Sequence, residues 1–345
     1  MTTPPDLRIK LPQPYLLFLG NLTPEQAPFA KTAFGLRDWA PELCVGELGL
    51  PGCAVTTGLP KLTPAEARAR GARALVIGVA SIGGALAPQW LPALVEALEA
   101  GLDLISGMHG RLGDSPQLVE VAQRHGRQLF DVRRPPPGIP VGTGRKRSGK
   151  RLLTVGTDCA VGKKYTALSL TREFRKRGVE ADFRATGQTG ILIAGGGLPM
   201  DAVVADFLAG AAEMLTPDAG AAHWDVVEGQ GSVVHPSYAG VSLGLLHGTQ
   251  PDVLVLCHEH GRERVSGLSA YALPDLREVI DLTLTLARRT NPAVRCAAVS
   301  INTSKLDEAA ARTVLADYSA KLNLPAADPV RGGPEMQRMV EACLA

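Results

Sequence analysis

Short apolar runs alternate with helical stretches along almost the whole chain. Runs at 15–19, 74–79, 103–106, 128–131, 152–155, 226–228, 252–257 and 296–301 are rich in Val, Leu and Ile and are bounded by turn-forming residues, so they read as buried strands. Between them, 92–100, 115–125, 166–177, 201–215, 275–289 and 305–322 carry apolar residues at helical spacing. That order predicts an α/β protein with mostly parallel sheets covered by helices. The pattern breaks at RRPPPGIPVGTGRKRSGK, where three consecutive prolines and four glycines cannot continue a helix or a central strand. The expected organisation is therefore an α/β domain over 1–132, a Pro/Gly/basic linker over 133–149, and a second α/β domain over 150–345.

Composition narrows the picture. The 345 residues are 45% hydrophobic, 20% charged and 4% aromatic, with net charge +2. A balance this close to neutral speaks against a dedicated nucleic-acid binder. Gly 38 and Pro 26 make the chain loop-rich without reaching the ~25–30% share of low-complexity disorder. The six cysteines (Cys44, Cys53, Cys159, Cys257, Cys296 and Cys343) form no CxxC pair and no zinc spacing. Reduced thiols in a cytoplasmic protein are expected, and the N-terminus has no signal-peptide pattern. The stretch 74–95 carries no charge, but Gly78, Ser81, Gly83, Gly84, Pro88, Gln89 and Pro92 punctuate it. It reads as strand, glycine turn and helix start, and not as a membrane span. Near the break, Arg145, Lys146, Arg147, Lys150 and Arg151 cluster, as a solvated linker, as a lure for an anionic ligand at the adjacent site, or as a nucleic-acid contact.

That adjacent site is the most informative segment. In RLLTVGTDCAVGKKYTALSLTREFRKRG a strand runs into a turn from Gly156 to Gly162, then Lys163, then an amphipathic helix. Glycine lets backbone N–H groups converge on an anion, the helix start adds positive potential, and the lysine brings a mobile charge. Gly144-x4-Gly149-Lys150 also fits GxxxxGK, but it precedes a strand and lacks Ser or Thr after the lysine. The loop at 156–163 departs from the standard form too. Its glycines are one residue further apart, and Lys164 stands where Ser or Thr would ligate Mg²⁺. The spacing predicts phosphate binding without conventional Mg–nucleotide hydrolysis, although Asp158 or Thr166 remain open as metal ligands.

GTDCAVGKK resembles the phosphate loop of dethiobiotin synthetases, with Lys164 replacing a threonine. IGVASIGG, LDLISGMHGRLGD, RATGQTGILIAGGG, DAVVADFLAGAAE, VVEGQGSVVHPSYAGVSLGLLHG and PDVLVLCHEHGR together resemble the DgcN-type D-glutamate N-acetyltransferases, a family formerly known as a domain of unknown function. The similarity covers nearly the whole chain. It implies a Rossmann-like N-terminal domain, a P-loop NTPase-like C-terminal domain, and acetyl transfer from acetyl-CoA to the amino group of D-glutamate. An NAD-type dinucleotide site is not expected, because no G-x-G-x-x-G follows a predicted strand.

On this reading Gly156, Thr157, Asp158, Cys159, Ala160, Val161, Gly162, Lys163, Lys164, Tyr165 and Thr166 hold the phosphates of the cofactor. Asn302, at the end of a strand, is a candidate contact for its adenine. Glu228 leaves a strand into the loop Gly229-Gln230-Gly231-Ser232, and His235 follows in a charge-free stretch; either is a candidate general base for the acceptor ammonium. Gln188, in the polar loop 186–190, is a candidate oxyanion donor. Arg262, or Arg264, is placed to clamp a substrate carboxylate, with His258 and His260 beside it. Ser81 and His109 each follow a predicted strand and are candidates for the acceptor pocket. Each has a structural counterpart reading as a cap, a turn or a hydrogen-bonded core residue. Partners are then a small amino acid and no nucleic acid or membrane, with a homo-oligomer left open. Two alternatives stay open: an ATP/Mg-dependent carboxylate-activating ligase or kinase, and a non-catalytic nucleotide-sensing module.

Overall fold

The computed structural model describes residues 7–80 and 83–345, and the chain divides into two compact units. Residues 7–135 and 187–202 make one unit; 136–186 and 203–345 make the other.

The first unit is a parallel five-stranded sheet of β1 (Tyr15–Gly20), β2 (Cys44–Gly49), β3 (Ala74–Ile77), β4 (Asp103–Ser106) and β5 (Leu129–Asp131), in the order β2-β1-β3-β4-β5. Every residue of β1 and β3 is buried, as expected of parallel strands covered on both faces. Helices α1 (Lys31–Trp39), α2 (Pro64–Ala69), α3 (Leu91–Glu99) and α4 (Pro116–His125) connect the strands. Their ends follow local chemistry. The Ser115 side chain accepts from the Leu118 N–H, Pro116 opens α4, and Gly126 closes it at φ 60°. The charge-free stretch 74–95 is distributed over β3, a short 3-10 turn (Pro88–Trp90) and the start of α3. Among the described residues no helix is long and apolar enough to cross a membrane.

The second unit is a parallel six-stranded sheet. Its strands are β6 (Lys150–Gly156), β7 (Ala181–Arg184), β8 (Trp224–Val227), β9 (Val253–Glu259), β12 (Arg295–Asn302) and β13 (Ala326–Ala327), in the order β13-β12-β9-β6-β8-β7. Between β9 and β12 in the chain, β10 (Arg264–Val265) and β11 (Leu268–Ala272) form a separate antiparallel hairpin. Around the sheet lie α5 (Lys163–Lys176), α7 (Leu208–Leu215), α8 (Ala239–Thr249), α9 (Leu276–Ala287), α10 (Glu308–Leu322) and α11 (Gly333–Leu344), while α6 (Gln188–Ala194) belongs to the first unit. One core cluster joins Leu152, Val226 and Val255 to Phe174 of α5 and Met339 of α11. A second joins Leu256 and Val299 to Val279 of α9 and Leu315 of α10. β6 therefore sits between β9 and β8, which puts the glycine turn after it at the centre of the sheet's carboxyl edge.

Three local expectations are corrected. The turn expected at 186–190 is cut short by α6, which starts at Gln188, because the ILIA run packs as a helix and Gly195 ends it at φ 69°. The helix expected over 201–215 is α7 alone, preceded by 3-10 turns at Met200–Ala202 and Ala205–Phe207. Val204 between them is extended, and residues up to 202 pack with the first unit.

The basic segment is the third. It is strapped to the second unit, with Arg145, Lys146 and Lys150 still exposed to solvent. The Glu213 carboxylate accepts the Thr143 and Gly144 N–H groups, Arg145 pairs with Asp218, and Lys146 pairs with Asp252. Arg147 and Arg151 are buried.

Candidate functional site

In the second unit the turn runs from Gly156, the last residue of β6, to Lys163, the first of α5. Gly162 precedes the helix at φ 101° and Ala160 lies at φ 55°, so the loop curls around the helix start. Successive amides there form a positive nest for an anion. Lys163 is buried, and its Nζ donates to the Asp158 carbonyl at 2.6 Å. Burial lowers its pKa, against the opposing pull of Cys159, Cys257, Asp158 and Glu228. A buried ammonium resting on a backbone carbonyl fits a site that receives an anionic group. Lys164 and Tyr165 are half-buried, with the Lys164 ammonium 5.1 Å from the Tyr165 ring centroid.

The threonines of the loop face inward. Thr157 is fully buried, its N–H donates to the Cys257 carbonyl, and its Oγ1 lies 2.9 Å from His258 Nδ1. Burial, helped by Arg262, drives the His258 pKa down to about 4, so that ring is neutral at neutral pH. Thr166 donates to the Gly162 carbonyl and lies 2.8 Å from Ser300 Oγ on β12. Its hydroxyl is therefore used in the helix and the core. Asn302 accepts the Ser304 N–H at the end of β12, which is a local turn cap. His260 lies 3.3 Å from the Tyr318 hydroxyl, and Arg264 donates to the Ser269 carbonyl inside the hairpin.

Glu228 follows β8 directly and is 5% exposed. Its Oε2 accepts the Thr186 N–H at 3.0 Å and its carbonyl accepts the Thr186 hydroxyl. Gly229 then lies flat against β6: an added Cβ would sit 1.7 Å from the Thr154 carbonyl oxygen and 3.1 Å from Lys163 Cδ. Only glycine brings this strand exit so close to the loop. Its N–H donates to Thr154 Oγ1, and Gln230 Nε2 donates to Thr186 Oγ1. The structure thus brings the predicted Glu228 and Lys163 together through a glycine contact that sequence reading missed.

Asp158 is fully buried. Its Oδ1 accepts the Cys159 N–H, and its Oδ2 accepts from Arg262 Nη1 at 2.9 Å and from the Ser266 N–H of the hairpin at 2.8 Å. Arg262 also donates to the Cys159 carbonyl and to Glu259 Oε2. The guanidinium expected to clamp a substrate carboxylate is occupied by two carboxylates of the protein. His235 is buried, stacks on Tyr238 at 4.6 Å, and places Nε2 3.6 Å from Asp158 Oδ1. Its Nδ1 accepts the Ser237 N–H. Burial lowers its pKa, with Asp158 opposing and Lys163 reinforcing the shift. The neutral ring therefore carries its proton on Nε2, directed at Asp158. Asp158, Cys159 and His235 bring ligand atoms within 4.8 Å of one another, spacing suited to a metal. The tautomer fixed by Ser237 nevertheless leaves no lone pair on Nε2 for one.

The first unit holds a separate polar cluster. Arg133, two residues beyond β5, is 8% exposed. Its Nε donates to the Gly107 carbonyl at 2.8 Å, Nη1 meets His109 Nε2 at 2.8 Å and Asp201 Oδ2 at 2.5 Å, and Nη2 donates to Gln188 Oε1. Gly107 is required here, since an added Cβ would sit 2.5 Å from Gln188 Cβ. The Gly110 N–H bonds the Gly84 carbonyl, which joins the glycine loops after β3 and β4. His109 and Gln188, singled out separately in the sequence, share one guanidinium. No sequence signal marked Arg133 or Asp201. Ser81 lies outside the described residues.

The chain is similar to several known proteins. The family model for the P-loop domain of DUF1611, a domain of unknown function, matches residues 140–338, and the one for its Rossmann-like N-terminal domain matches 49–135. A D-glutamate N-acetyltransferase from Tritonibacter scottomollicae is 51% identical over 96% of this chain and 98% of its own. One from a Pseudoalteromonas species is 46% identical over 94% of this chain and 97% of its own. A crystal structure of a DUF1611 family protein from Anabaena variabilis is 32% identical, with TM-score 0.86 over 96% of this chain and 99% of that one.

Proposed function

This chain belongs to the DUF1611 family, and we propose that it is an N-acetyltransferase that moves an acetyl group from acetyl-CoA to the amino group of D-glutamate. The acyl acceptor and reaction follow the names of the two relatives. The observation that supports acetyl-CoA as donor is the composition of the loop. It offers amides, the buried Lys163 and Lys164 to phosphate groups. The position for a metal-ligating hydroxyl is Lys164, and the Thr166 hydroxyl is spent on Gly162 and Ser300. Coenzyme A carries a pyrophosphate and a 3′-phosphate that need cations and amides, and no phosphoryl group is transferred.

Residues 156–163 would hold those phosphates, with Lys163 leaving the Asp158 carbonyl to meet them. The bound donor supplies an acetyl group on a thioester. The acceptor must first lose a proton from its ammonium. His235 is ill-suited to accept it, since Nε2 is already protonated and Nδ1 is engaged by Ser237. Glu228 is the better base on this reading: a buried carboxylate, held through Oε2 by the Thr186 amide at the carboxyl end of β8. Arg262 and His235 act on the loop by fixing Asp158 and so keep its amides in place.

The direct test mixes purified protein, D-glutamate and acetyl-CoA and follows free thiol with time. Thiol release that depends on D-glutamate is expected. Its absence, with phosphate released from ATP instead, would replace this reading by an ATP-dependent ligase or kinase.

A further inference from the structure

We propose that Arg133 is the residue that binds a carboxylate of the acidic acceptor, in a pocket shaped by His109, Gln188 and Asp201 of the same unit. This inference rests on the acceptor being an acidic amino acid.

A buried guanidinium is kept where its charge is used, because desolvating it is costly. Arg133 meets four acceptors in the resting protein, and only Asp201 among them is a carboxylate. Arginine is donor-only, so His109 Nε2 must accept from it, which makes the imidazole neutral with its proton on Nδ1. Burial and the two neighbouring guanidiniums lower the His109 pKa in the same direction, against Asp201. Arg134 donates to the His109 carbonyl and brings the second of those guanidiniums. Arg134 also neighbours Asp131, so Asp201 is the carboxylate that Arg133 itself holds.

The geometry favours a carboxylate over other anions. Asp201 Oδ2 on Nη1 and Gln188 Oε1 on Nη2 occupy the outer edge of the guanidinium, the edge that a bidentate carboxylate spans. These two oxygens stand in for one. His109 and Asp201 are exposed, while Arg133 and Gln188 are buried behind them. The site lies beyond the carboxyl ends of β4 and β5, where open parallel sheets bind ligands. Gly107 shows that it is built, since a larger residue would push Gln188 away from Arg133.

Kinetics and calorimetry test this together. Arg133→Met should raise KM for D-glutamate by about ten- to a hundredfold and leave KM for acetyl-CoA unchanged. Arg133→Lys should recover only part of the loss, because a point charge does not replace the fork. Glutarate, which has both carboxylates and no amine, should bind the wild type in calorimetry and fail to bind Arg133→Met, whereas CoA should bind both alike. A folded Arg133→Met protein with unchanged glutarate affinity and unchanged KM for D-glutamate would overturn the proposal. If that variant does not fold, Asp201→Asn decides: removing the competing carboxylate should tighten glutarate binding several-fold, and equal or weaker binding overturns the assignment. Wild-type protein that binds glutarate through Arg133 but does not acetylate D-glutamate would refute the proposed reaction and keep the carboxylate site.

Discussion

Arg147 provides the sharpest quantitative test, because sequence left its cluster between a solvated linker and an anion lure. Its guanidinium is buried and burial brings its pKa down to about 10, with Arg151 adding to the shift. Nε donates to the Thr216 carbonyl at 2.6 Å, and Nη2 to the Gly248 carbonyl at 2.7 Å and to Thr216 Oγ1 at 2.9 Å. Thr216 directly follows α7, and Gly248 lies in the last turn of α8. One cation therefore satisfies the orphan carbonyls of two helix ends at once. Arg147→Met would leave those carbonyls buried without a donor, at ~1–3 kcal/mol each, and remove a favourable charge from both helix ends. The expected loss is about 3–5 kcal/mol, a large part of the ~5–15 kcal/mol that holds a domain together. Urea unfolding should show a midpoint lowered by on the order of 1 M. Arg145→Met and Lys146→Met break exposed pairs with Asp218 and Asp252 and should cost about 0–1 kcal/mol each. An Arg147→Met protein with a wild-type midpoint and a strongly salt-dependent rise in KM for acetyl-CoA would refute this reasoning and restore the anion lure.

Gly229→Ala should disrupt the site and the fold together: its Cβ falls on the Thr154 carbonyl, so Glu228 must move away from Lys163. A drop of about 1–3 kcal/mol in urea unfolding and at least tenfold in kcat/KM is expected; wild-type values of both would show that the two loops need not touch. Stability should also fall in acid because of His258. Its folded pKa, about 4, lies below the ordinary 6.5, so the unfolded chain binds the extra proton first. The contribution is intact above pH ~6.5 and is lost as pH falls towards 4, on the order of 3 kcal/mol in full. Melting temperature against pH should flatten in that window for His258→Gln, and an unchanged slope would count against a neutral buried ring.

Much of the architecture was legible because its signals are local. The run at 103–106 coincides with β4, the run at 252–257 starts one residue before β9, and the glycine turn before Lys163 is a turn between the central strand and a helix. Helix ends at Ser115, Asp275 and Asp307 follow the side-chain oxygen that accepts the next free N–H. Less was legible where a segment lacks periodicity of its own. The hairpin of β10 and β11 is short and largely exposed, and α6 is a single apolar run beside a glycine string. Gly195, as a left-handed stop, was the one cue that α6 carried.

By itself the sequence determined the α/β alternation, the phosphate loop and the family resemblance, while β2, β7, β13, α1, α2, α8 and α11 went unmarked. Only the tertiary structure decided what each polar group does. Thr166 turns to Ser300, Asp158 is taken by Arg262 and Ser266, and Arg133 gathers His109, Gln188 and Asp201. Those partners lie tens to more than a hundred residues apart in the chain. Burial forces each donor and acceptor to find a partner, and which partner is available is settled by how the strands and helices pack.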